Sequence, residues 1–310
     1  MFTLINWCRF TACLHLLLVF IFSVFTGLQD HDQITIPGIR VQATKTVGIW
    51  LPDPLADNQT AIASVLNLDA CPLAETITAR FSSSFVKQVV IGGIGDIDTR
   101  YLIILFHALS FLFQIIGAWD EGIYYRYLDN GDVNLAHFVE YSFSASLMMI
   151  AICAQLGTTD VFLIISVACN CWGCMIFGVV AELLFHSRST MDIMMFKQIG
   201  SHWIAHLAGW FLISVAMLGA GSNLATYTAC IDGPQAKKVP SFVIGIVATE
   251  LVLFLVFGFV QTLSFITRDG AKLEKRRESA YYTEAAFIAL SISAKIILGC
   301  GIIVGNFINK

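Results

Sequence analysis

The chain has 310 residues, 57% of them hydrophobic and only 13% charged, with a formal net charge of −4. A mean hydropathy of +0.75 argues against an ordinary soluble domain, in which about 25% of residues are charged. Basic residues are few and lie mostly between apolar runs, so nothing points to a nucleic-acid surface.

Apolar runs long enough to cross a bilayer occupy 7–28, 99–119, 134–156, 160–185, 198–221, 240–266 and 281–308. They predict an all-α membrane protein of seven transmembrane helices, a single domain over 1–310 embedded in the lipid bilayer. In the first run, Arg9 precedes an apolar stretch ending at Phe25, as in a secretory signal peptide. "FTGLQD" (25–30) lacks a small-x-small cleavage site, so the run is read as a retained helix.

The long first loop, 29–98, contains "IRVQATKTV" (39–47), where Ile39, Val41, Ala43 and Val47 recur at period two. That pattern, bracketed by Pro37, Pro52 and Pro54, predicts short β-strand structure. Asn58-Gln59-Thr60 has the form of a glycosylation acceptor. Most of the nine cysteines sit in apolar runs and read as small hydrophobes. Cys71 and Cys230 lie in polar stretches, where a disulfide between them is open in an oxidising compartment.

Basic residues set the direction. The amino end and the second, fourth and sixth connections carry Arg9, Arg126, Arg188, Lys197, Arg268, Lys272, Lys275, Arg276 and Arg277. The third and fifth connections and the carboxyl tail carry only Lys237, Lys238 and Lys310. The amino terminus is therefore predicted inside and the carboxyl terminus outside. "RDGAKLEKRRE" (268–278) supplies most of this signal and reads as a solvated loop.

Ionisable residues inside spans are expensive and usually functional. Span three has Glu140, span four Glu182, span six Glu250, and span seven Glu284 and Lys295. Lys295 lies about 27 Å from Arg277 and about 22 Å from Lys310 along a helix rising 1.5 Å per residue, beyond the reach of snorkelling. Three readings remain: a buried ion pair, a neutral amine, or a covalently modified amine. A desolvated lysine attacks aldehydes to form a Schiff base, whose cation then needs a carboxylate. Glu284, Ile288, Ser291 and Lys295 share one helical face, as do Glu140, Ser144 and Met148. Hydropathy does not say which carboxylate meets Lys295. His202 and His206 stand four apart, but no further ligand completes a metal site, and packing is the preferred reading. No nucleophile–base set stands out, so an enzyme is not expected.

Several of these stretches resemble the heliorhodopsins, seven-helix retinal proteins. "FVEYSFSASLM" (138–148) resembles the family's counter-ion motif and "LSISAK" (290–295) its retinal-lysine motif. "LSFLFQ" (109–114), "FGVVAE" (177–182) and "VPSFVIGI" (239–246) match in order but are weaker alone. The resemblance covers nearly the whole chain. It implies all-trans retinal as a covalent Schiff base on Lys295, with Glu140 as counter-ion and Ser291 and Ser110 nearby. It also implies Phe254 and Cys174 in the retinal pocket, His15 in an inner polar cavity, and a homodimer contact through the first outer loop. The family's orientation, amino end inside, agrees with the charge count.

The chain also departs from the family. Gln114 stands where the family often has a second cavity histidine, and Glu250 where an apolar residue is expected. Cys174 replaces an apolar pocket residue, and the first loop is longer. A glutamine does not take up protons, so the cavity's role as proton acceptor falls into question. Glu250, with Glu182 and Glu284, is the basis for expecting light-driven proton passage beside light sensing. The rival expectation is a retinal-free receptor or transporter with Lys295 in a buried salt bridge.

Overall fold

The structure, a computed structural model, describes residues 4–31, 39–49, 85–97, 99–119, 125, 128–156, 158, 160–187, 200–229 and 241–308. Asn58, Cys71 and Cys230 lie outside these residues. So do Arg126, Arg188, Lys197, Lys237, Lys238 and Lys310 of the orientation argument.

Seven helices carry the fold: α1 (Leu4–His31), α2 (Thr99–Trp119), α3 (Leu135–Gln155), α4 (Val161–Ser187), α5 (Ser201–Ala229), α6 (Ser241–Arg268) and α7 (Leu273–Ile308). All seven are long and apolar enough to cross a bilayer, with mean hydropathies of 1.4 to 2.6 in their apolar windows. Their outward faces carry large apolar side chains such as Phe20, Ile116, Phe211, Leu218 and Phe259, all more than 60% exposed. Such a belt is unfavourable in water and suits lipid. The chain is thus a multi-pass integral membrane protein. Between α1 and α2, β1 (Ile39–Ile49) and β2 (Phe85–Ile97) pair antiparallel, Ile39 opposite Ile97 and Ile49 opposite Phe85.

Local chemistry explains the helix ends. Asn134 caps α3, its side-chain oxygen accepting from the Ala136 N–H at 3.0 Å. The α6–α7 connection turns on Gly270, whose φ of 67° is one that L side chains rarely adopt. α7 then begins at Leu273, eight residues before the expected start of span seven at 281. The sequence reading of 268–278 as a solvated loop is therefore corrected. Leu273–Glu278 is built of good helix formers, with Glu274 favourable in the first turn. The helix simply continues past the apolar boundary. Arg268, counted among the loop charges, is buried inside the bundle.

The core runs through the middle of the bundle, where Ile103 and Phe106 of α2, Met149 and Ile152 of α3, Cys171 of α4 and Leu298 of α7 are fully buried. α3 and α7 bury the largest share of their apolar windows, so they are the central helices. α5 and α6 touch only sparsely. Residues of both helices line the second of the two chambers described next.

Candidate functional site

Lys295 projects from α7 into the centre of the bundle and is 2% exposed. A bare ammonium at that depth is tolerable only with partners, and three elements supply them. Glu140 Oε1 of α3 lies 2.7 Å from Lys295 Nζ. Ser291 Oγ, one turn earlier on α7, accepts from Nζ at 2.8 Å, and Ser110 Oγ of α2 accepts a third, short bond. The same Nζ sits 5.4 Å from the centre of the Tyr141 ring, close enough for cation–π attraction. Tyr141 is fixed in turn by its hydroxyl, which donates to the Phe287 carbonyl at 3.1 Å. The amine thus has three polar acceptors and an aromatic wall, all nearly dry. Glu140 Oε2 has no partner among the described residues.

A chamber of about 350 Å3 opens from this cluster. Ser144 and Met148 of α3, Phe254 of α6 and Ser291 of α7 line it beside Lys295, as expected from their helical faces. Glu250 lines it too. Its carboxyl is fully buried, and neither oxygen has a protein partner among the described residues. A second chamber of about 560 Å3 adjoins the first, sharing Tyr141, Met175, Phe254 and Phe257, and reaches Cys174 of α4 and Trp210 of α5. Gly258 is required here, because a Cβ at that position would lie 2.5 Å from the Trp210 ring. Together the chambers form a mostly apolar slot with Lys295 at one end. Apolar walls, aromatic faces and a buried lysine fit a long conjugated aldehyde such as retinal.

The other expected residues sit around this centre. Glu284 is fully buried, its Oε1 3.2 Å from His137 Nδ1. Glu182 belongs to a separate cluster, with both carboxylate oxygens 2.8 and 3.0 Å from Arg268 Nη2. Arg268 also lies over the Phe185 ring, 4.7 Å from its centre. His15 pairs with His107 across α1 and α2, Nδ1 to Nδ1 at 2.9 Å. Gln114 is buried with its Oε1 unpartnered among the described residues. His202 packs against Phe185 and Phe265, while His206 bonds Thr262 and Trp210.

Sequence reasoning missed three contributors. His107 stands three residues before Ser110, on the same face of α2, a spacing that was available as a signal. Tyr141 follows Glu140 directly, and nothing local marks it. The pairing of Arg268 with Glu182 joins residues far apart in the chain and is visible only in three dimensions.

A heliorhodopsin family model matches residues 58–307. No curated protein matches the chain.

Proposed function

The chain belongs to the heliorhodopsin family, and on that premise we propose that it senses light through all-trans retinal held as a Schiff base on Lys295, with Glu140 as counter-ion. The observation that carries this reading is the convergence of Glu140, Ser110 and Ser291 on Lys295 Nζ at the mouth of the slot. When bound, retinal supplies a polyene whose isomerisation by light displaces the nitrogen that holds it.

The residues divide the remaining work. Lys295 offers a desolvated amine, which becomes a nucleophile once one of its protons passes to Glu140, 2.7 Å away. Glu140 balances the positive charge on that nitrogen, and the two serines orient the free amine before the Schiff base forms. Phe254, Met148 and Ser144 line the slot next to the lysine, and Cys174 lines its farther part. A displacement of Nζ would weaken its contact with Glu140, which in the unmodified lysine is 2.7 Å. The freed carboxylate then biases the bundle towards a second arrangement, the output of a light sensor. The charge asymmetry of the connections orients the amino terminus inside and the carboxyl terminus outside. The whole seven-helix chain acts as one retinal-binding domain, with a homodimer contact through the 29–98 loop.

Proton passage belongs to the same proposal. Glu250 faces the chamber of Lys295 with neither oxygen bonded to a protein partner among the described residues, an arrangement in which a carboxyl accepts and releases a proton without breaking an ion pair. Glu284 against His137 extends the route. His15, with His107, and Gln114 are further polar points of it. Glu182 is the least free to take part, because Arg268 holds both of its oxygens. Under voltage clamp, Glu250→Gln is expected to reduce a light-driven proton current at least tenfold while leaving the visible spectrum in place. A current unchanged in that variant removes Glu250 from the route.

The second reading is a retinal-free receptor or transporter. The direct Lys295–Glu140 contact favours it, because such a pair satisfies both charges without a chromophore. A visible spectrum after addition of retinal separates the two.

A further inference from the structure

The second chamber, which lies away from Lys295 between α4, α5 and α6, is not uniformly apolar. Gln261 and His206 line it among Phe138, Trp210 and Phe257. The polar capacity of His206 that faces its neighbours is already used. Its Nε2 lies 3.0 Å from Trp210 Nε1 and 2.7 Å from Thr262 Oγ1. An indole N–H only donates, so this Nε2 carries a lone pair and the neutral ring keeps its proton on Nδ1. The Tyr141 hydroxyl is likewise satisfied by the Phe287 carbonyl. Gln261 differs: the residue is 7% exposed, and its buried Nε2 has no acceptor among the described residues.

We propose that this chamber selects a retinal aldehyde carrying an oxygen, as hydroxyl or ketone, on its ring, with Gln261 as the specificity-determining residue. The inference rests on the retinal reading of Lys295. A polyene fixed at Lys295 leaves the first chamber past Phe254 and Phe257, which line both chambers, so its ring enters the second. A hydrocarbon ring there leaves the Gln261 N–H groups dry and unpaired, which is unfavourable. A ring oxygen accepts from the amide, and a hydroxyl can also donate to Gln261 Oε1. A site built to bond a polar group discriminates against the analogue that lacks it.

The test is competition in the full-length protein. Purified protein is offered an equimolar mixture of all-trans retinal and all-trans 3-hydroxyretinal, washed and denatured, and the retained aldehydes are separated by chromatography. We expect the hydroxylated aldehyde to be enriched about tenfold, the worth of one buried neutral hydrogen bond. Gln261→Met, similar in size and without hydrogen-bonding amide groups, is expected to bring the ratio to parity. Parity or an excess of plain retinal in the unsubstituted protein overturns the proposal and assigns the amide to a bound water. Equal enrichment in the Met variant overturns the role of Gln261. Uptake of neither aldehyde overturns the retinal reading itself, an outcome distinct from parity.

Discussion

Glu140→Gln is expected to shift the visible absorbance of the retinal-loaded protein to longer wavelength at neutral pH. The reasoning starts from the 2.7 Å contact between Glu140 Oε1 and Lys295 Nζ. At an effective dielectric constant of about 20, opposite unit charges at that separation attract by about 6 kcal/mol. In the ground state the positive charge sits on the nitrogen and feels that attraction fully. In the excited state it spreads along the polyene and feels less of it. Removing the negative charge raises the ground state more than the excited state, so the gap narrows by a few kcal/mol. Ser110 or Ser291 remains to accept the single N–H of the protonated Schiff base in the variant, but neither carries charge. An absorbance maximum unchanged or moved to shorter wavelength would assign the counter-ion elsewhere, and Glu250 in the same chamber is the first candidate.

Arg268→Met is expected to be the most damaging substitution for stability outside the ligand slot. Arg268 is 1% exposed and Glu182 4%, so their pair is nearly dry. Deleting one partner of such a pair costs about 3–5 kcal/mol, because the other charge is left buried and uncompensated. The guanidinium also fills space over Phe185 and donates from Nε to the Ser264 carbonyl at 3.3 Å. Met restores some volume but neither interaction. The double variant Arg268→Met/Glu182→Leu is expected to recover most of the loss, since two apolar side chains need no compensation. Thermal unfolding in detergent, followed by the visible band or by intrinsic fluorescence, measures both. If the single and double variants were equally destabilised, packing rather than charge would account for the pair.

The seven spans were legible because a bilayer demands long apolar runs, and each expected run has its helix. The start of α7 was not, because Leu273–Glu278 is polar yet helix-favouring, and hydropathy detects lipid contact rather than helicity. The depth of Lys295 followed from counting residues between charges. Its partner did not, since spacing within α7 supplies only Ser291. Glu140 came from the resemblance of a motif in another helix, and the structure places that carboxylate against the amine. Glu182 and Glu250 show the limit of reading charge alone. Both are single glutamates in apolar helices, but one is clamped by an arginine and the other faces a chamber with no partner among the described residues. Gln261 offered a signal that went unread. It follows Phe254 and Phe257 by seven and four residues, on the slot-lining face of α6.

The most direct test of retinal on Lys295 is an absorption spectrum of the purified protein before and after addition of all-trans retinal, taken alongside Lys295→Ala. The expected result is a new visible band in the unsubstituted protein, well to the red of free retinal, and no such band in the variant. No band in either, or the same band in both, would contradict the account.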